Sequence, residues 1–114
     1  MYMDKNYIGG SSYLLVLSLI NRKDMYGYEI IKELELLSDD AFKFKEGTLY
    51  PILHKFENSG WIESYSKFSD SGKERKYYHI TKTGIQQLVQ EQEQWDLFKD
   101  SVMKVLNGNR YVLD

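Results

Sequence analysis

EGTLYPILHKFENSG, residues 46–60, is the stretch on which the reading of this chain turns. Leu49, Ile52, Leu53 and Phe56 recur at helical spacing and form one apolar stripe, while Tyr50, Pro51, His54 and Lys55 fall on the other side. Asn58-Ser-Gly60 supplies the stop, because glycine readily takes the left-handed backbone that closes a helix. The start has two candidates. Proline lacks an amide hydrogen, so Pro51 is comfortable if Thr48 is the N-cap and distorts the first turn if the helix begins nearer Glu46. Either way, a second face carrying aromatic and basic groups is left pointing out.

Upstream, Ser11 or Ser12 can cap a first helix that is apolar on several faces through Ile20 and so must be covered from more than one side, with a partner subunit as one candidate cover. Beyond the polar break Asn21-Arg-Lys-Asp24, the spacing of Ile30, Ile31, Leu34 and Leu37 predicts a second helix, ended by Ser38-Asp-Asp40. Gly27, near its start, would let the backbone of another helix approach. Downstream, Trp61–Phe68 alternates, Ser69-Asp-Ser-Gly72 marks a turn and Arg75–Ile80 offers a second strand, which predicts a two-stranded hairpin. Such a ribbon is marginal alone, so one face must lie on the helices while the tip, with Lys67, Lys73, Arg75 and Lys76, reaches outward. Alternation sends Tyr77 and Tyr78 to opposite sides, so at least one of them belongs to the core. Thr81 caps a last helix running to about Leu106. Along it Leu88, Trp95 and Val102 recur every seven residues, as do Phe98 and Val105, a seam suited to another long helix.

Composition narrows the function. A chain of 114 residues, 42% hydrophobic and 28% charged, builds one core and leaves no room for a second domain. The absence of cysteine excludes disulfides, thiolate metal sites and cysteine nucleophiles. The apolar run Tyr13–Ile20 falls short of the roughly 18 to 20 residues of a membrane span, and no signal-peptide cleavage pattern follows, so a cytoplasmic protein is expected. His54 and His79 are the only histidines and have no acidic cluster at ligand spacing, so no metal or other cofactor is expected. No nucleophile elbow, phosphate-binding loop or paired-carboxylate spacing frames a catalytic group, and an enzyme is not expected. The net charge of −2 divides unevenly: residues 1–42 carry −3, residues 43–83 carry +3 and residues 84–114 carry −2. Only the middle third, which contains the opening stretch, has the positive balance that draws phosphate.

Three helices, a basic two-stranded wing and a trailing helix are the parts of a winged helix-turn-helix, whose third helix enters the major groove. YGYEI at 26–30, GTLYP at 47–51, LHKF at 53–56 and RKYY at 75–78 resemble the PadR-type transcriptional regulators in order and spacing, across nearly the whole chain. The expected fold is α+β and mainly helical. Residues 1–81 would form the winged helix-turn-helix DNA-binding domain, and residues 82–114 a C-terminal dimerisation helix and tail, as one compact unit. The resemblance implies a homodimeric repressor on a pseudo-palindromic double-stranded DNA operator, paired through the last helix with help from the first. A single terminal helix points to the short subfamily.

On the third helix Gly47, Tyr50, Pro51 and His54 lie opposite the apolar stripe, with Lys55 flanking them. The Thr48 and Tyr50 hydroxyls can reach phosphates or base edges, Pro51 a thymine methyl, and Gly47 permits close backbone approach. No arginine or asparagine stands on this face, which predicts modest direct readout and a large share from phosphate contacts and DNA shape. Lys43 and Lys45 before the helix, and Lys73, Arg75 and Lys76 in the wing, are the phosphate candidates, with Lys67 a weaker one. Trp95, on the seam of the last helix, could meet its counterpart across a dimer axis and clamp a flat aromatic effector, with Phe98, Val102, Tyr13 and Leu17 as further lining. A tryptophan at a heptad position is also ordinary interface core, and both readings stay open. The alternative overall is a winged-helix protein-interaction module in which Tyr50 and Pro51 face a protein.

Overall fold

The computed structural model describes residues 9–111. A short 3-10 turn, Gly9–Ser11, leads into helix α1, Ser12–Arg22. Then come strand β1, Met25–Tyr26, helix α2, Gly27–Leu37, and helix α3, Glu46–Asn58. Strands β2, Ile62–Phe68, and β3, Glu74–Ile80, form the wing, and helix α4, Lys82–Leu106, closes the described chain. Three helices on a small antiparallel sheet, followed by a long helix, make a winged helix-turn-helix.

The expectation that α1 needs cover on several sides holds, since it packs against α2, β3 and α4 together. Val16, Leu17 and Ile20 on α1, Met25, Ile30 on α2, and Leu49, Leu53 and Phe56 on α3 are sealed from solvent, and form the centre of the core. Each side chain of this size contributes about 1.5–3 kcal/mol by leaving water. The stripe of α3 is buried as its spacing predicts. On α2 the stripe is shorter than expected: Leu37 is half exposed at the last turn, where the chain leaves the core through two left-handed residues, Asp39 and Asp40.

The wing is wider than a hairpin. β1 pairs with β3, so the sheet has three strands in the order β1-β3-β2, with β3 in the middle. Two residues between a polar break and a helix carry no alternation, and only the pairing of Met25 with Tyr78 and of Tyr26 with Tyr77 reveals them as a strand. The register places Ile62, Ser64 and Ser66 opposite Ile80, Tyr78 and Lys76 on one face, and Glu63, Tyr65 and Lys67 opposite His79, Tyr77 and Arg75 on the other. Tyr78 is therefore core, and Tyr77 lies half-buried on the outer face.

The open question at the start of α3 resolves toward Glu46. Lys45 is the N-cap and its carbonyl accepts from the amides of Thr48 and Leu49, so Thr48 is inside the first turn. Pro51 thus sits within the helix, where its missing amide leaves the exposed Gly47 carbonyl without its usual donor. At the far end, Thr81 caps α4 by accepting a hydrogen bond from the Gly84 amide at 3.0 Å and donating to the Gly60 carbonyl at 2.6 Å. Gly84 lies so close to the start of β2 that a Cβ there would collide with the Trp61 carbonyl.

Candidate nucleic-acid interface

The outward face of α3 is built by its own spacing. Because Leu49, Ile52, Leu53 and Phe56 are drawn into the core, Gly47, Thr48, Tyr50, Pro51, His54 and Lys55 are all exposed. In the connection before it, Phe44 is buried and the side chains on either side, Lys43 and Lys45, are exposed. Among the described residues no ion pair engages Lys43, Lys45, Lys55 or Lys73, so these four charges face solvent uncommitted.

The wing is held at a set angle to α3. Glu57, near the end of α3, accepts a hydrogen bond from the Ser64 hydroxyl at 3.1 Å and pairs with Lys76 at 3.2 Å. On the outer face Asp24 accepts from the Tyr65 hydroxyl at 2.6 Å and contacts Nδ1 of His79 at 2.8 Å, tying β2 and β3 to the turn after α1. Burial pushes the Asp24 carboxyl up, but the hydrogen bonds from Tyr65 and His79 and the positive charges of His79 and Lys67 outweigh it, so its pKa lies below the ordinary 3.8. The same hydrogen bond to Asp24 pushes the Tyr65 hydroxyl up to about 12. The tip is closed by Ser69, whose amide donates to the Lys73 carbonyl at 2.8 Å and whose carbonyl accepts from Gly72 at 2.8 Å.

The wing cations differ from one another, which their sequence does not reveal. Lys73 is free. Lys76 is engaged by Glu57, and that hydrogen bond raises its pKa. Arg75 is half-buried: its guanidinium lies 4.3 Å from the centre of the Tyr26 ring, and its Nε is buried without a hydrogen-bond partner among the described residues. β1 thus brings Tyr26 under the wing arginine, a neighbour that the sequence reading of Arg75 as a phosphate contact did not include. Lys67 lies 5.4 Å over the Tyr77 ring.

Between α2, α3 and the wing runs a groove of about 530 Å³. Tyr26, Tyr28 and Tyr50 line one part of it, and Lys73, Arg75 and Lys76 another. Sequence reasoning placed Tyr50 and the three wing cations near DNA, and the groove brings these four together. It missed Tyr26, Tyr28 and Glu46, which also line the groove, and the two carboxylates, Asp24 and Glu57, that fix the wing. The signal for the tyrosines was present in YGYEI, but β1 is too short for periodicity to place them.

The residues expected at an effector site separate. Trp95 and Phe98 stack on each other along α4 with ring centres 6.1 Å apart, and with Val102 they are exposed. Leu17, by contrast, is sealed in the core, and Tyr13 is half-buried, set edge-on to Phe56 at 5.1 Å. Leu17 therefore offers no surface to a ligand. Leu88 packs against its own core, so of the expected seam only Trp95, Phe98, Val102 and Val105 stand open. Among the described residues no His, Cys, Asp and Glu cluster could hold a metal ion, and no helix is long and apolar enough to cross a membrane.

Comparison with known proteins gives this architecture its place. The model of the Transcriptional regulator PadR-like family matches residues 16–90. An uncharacterized protein of Lysinibacillus sphaericus is 38% identical over 95 residues, covering 82% of this chain and 86% of its own. Transcriptional regulator YqjI of Escherichia coli is 28% identical over 93 residues, covering 82% of this chain and 43% of its own. Among solved structures, a transcriptional regulator from Clostridium thermocellum superposes with a TM-score of 0.80 at 37% identity, covering 87% of this chain and 96% of its own. A PadR-like transcriptional regulator from Bacillus cereus gives 0.79 at 31% identity, covering 91% and 99%. The matched span includes α2, α3 and the whole wing, the parts that build the groove, and this chain belongs to the PadR-like family of transcriptional regulators.

Proposed function

We propose that the protein is a cytoplasmic, homodimeric repressor in which α3 reads the major groove of a pseudo-palindromic operator while the wing grips the adjoining phosphates. Residues 1–81 act as the DNA-binding unit and residues 82–114 as the dimerisation helix and tail; residues 1–8 and 112–114 of these spans lie outside the described residues. The observation that carries the reading is the juxtaposition, on one groove, of the exposed Tyr50 of α3 with Lys73, Arg75 and Lys76 of the wing. Thr48, Tyr50, Pro51 and His54 supply groups for base edges and phosphates, Gly47 allows close approach, and Lys43, Lys45 and Lys55 add uncommitted charge. Trp95, Phe98, Val102 and Val105 form the seam between subunits, and an aromatic effector bound between two copies of Trp95 would spread the helices and spoil the spacing of the half-sites.

Fluorescence anisotropy with duplex DNA across a salt series tests the DNA reading. Affinity should fall steeply with salt, and the Lys73/Arg75/Lys76→Ala variant should bind more weakly on every duplex with a shallower slope. Retention that is flat or rises with salt would instead mark α3 as a protein-docking face. Operator affinity that stays constant with a panel of tightly bound aromatic compounds would remove the effector reading.

A further inference from the structure

The strongest feature not absorbed by this reading is the contact between the first residue of α2 and the reading face of α3. A Cβ built on Gly27 would stand 2.6 Å from the Tyr50 hydroxyl oxygen, 3.0 Å from Cζ and 3.2 Å from Cε1. All three neighbours are the far end of one side chain. Gly27, expected to let another helix approach, has the Tyr50 ring of α3 as its nearest neighbour.

We propose that Gly27 is a positioning residue for DNA reading: its missing side chain is the seat that fixes the Tyr50 ring, and so the direction of the Tyr50 hydroxyl, at the mouth of the groove. The proposal rests on the reading of Tyr50 as a DNA contact. Backbone conformation does not require glycine here, since Gly27 is not among the glycines with positive φ, which are Gly60, Gly72 and Gly108. Helix propensity favours alanine over glycine at the same place. Core packing does not require it either, because the atom nearest to the added methyl belongs to a side chain that is 44% exposed and can swing away. Gly84 is the contrasting case, where an added methyl meets backbone. Among the described residues no hydrogen bond is made by the Tyr50 hydroxyl, and Gly27 gives the ring its space. A methyl at position 27 would leave the fold intact and turn the hydroxyl aside. In this chain the glycine of YGYEI thus receives the tyrosine of GTLYP.

A double-mutant cycle tests it, using the full chain, a duplex selected by the wild-type protein from a randomised pool, and a scrambled duplex of equal length. Gly27→Ala should weaken the selected duplex by about fivefold or more, leave the scrambled duplex within about twofold, and not lower the melting temperature. In a Tyr50→Phe background, which removes the nearest clashing atom, the same change should cost less than about twofold. Equal binding by Gly27→Ala and wild type, an equal loss in both backgrounds, or a melting temperature lowered by several degrees would each overturn the seat. A wild-type protein without duplex preference, or a Tyr50→Ala variant with unchanged preference, would instead remove the DNA reading beneath it.

Discussion

Asp24 shows how much one side chain can do at the base of a small wing. It takes the Tyr65 hydroxyl on one oxygen and His79 on the other, so two strands answer to one carboxylate. Because its folded-state pKa is below the ordinary 3.8, its contribution is complete above that value and is lost as pH falls through the folded value. Asp24→Asn should cost about 1 kcal/mol near neutrality, a figure held down by the partial exposure of the group, and the gap from wild type should narrow in urea melts as the pH is taken below the ordinary 3.8. Tyr65 runs the other way: its hydroxyl, raised to about 12, keeps its proton and its bond to Asp24 past the ordinary 10.0. At the opposite corner, Gly84→Ala should destabilise by about 1–3 kcal/mol in chemical denaturation, since the methyl meets the Trp61 carbonyl and stands 2.7 Å from Ile80 Cγ1. Neither residue could be singled out from its neighbours in sequence. An aspartate in a polar break and a glycine after a cap look ordinary until the chain returns to them from a distance.

At the scale of elements, α3 was legible almost entirely, because its four apolar residues share one face and leave no other orientation. Its start was not legible, since two caps were compatible with Pro51, and the choice of Lys45 as N-cap places the proline inside the helix. Pro51→Ala would restore an amide opposite the Gly47 carbonyl, and should stabilise the protein by about 1 kcal/mol in a urea titration. The wing was half legible: its alternation and turn placed β2 and β3, while β1 and the partners of the cations were hidden. Those partners imply unequal roles. Lys73→Ala should lower the salt slope of DNA binding by about one unit, and Lys76→Ala by less, because Glu57 already holds the Lys76 ammonium.

The whole molecule measures 61 × 31 × 21 Å, with a radius of gyration of 16.9 Å. A compact chain of this length would be nearer about 13 Å. The excess lies in α4, whose 25 residues span about 37 Å and whose second half projects Trp95, Phe98, Val102 and Val105 into solvent. An apolar row of that length is covered most simply by the same row of a second copy. On the proposed pairing, wild type should sediment as a dimer and Val102→Asp as a monomer, and the melting temperature of wild type alone should rise with concentration.

What the amino-acid order determined by itself was the helices, the two long strands and the inner face of α3, because helical and strand periodicities are local and burial follows from them. The resemblance to the family rested on the YGYEI, GTLYP, LHKF and RKYY motifs in their order. What only the tertiary structure decided was the meeting of residues far apart in the chain: Tyr26 under Arg75, Asp24 between Tyr65 and His79, and Tyr50 over Gly27. Contacts of that kind depend on where the helices and strands come to rest against one another, and no periodicity along the chain records it.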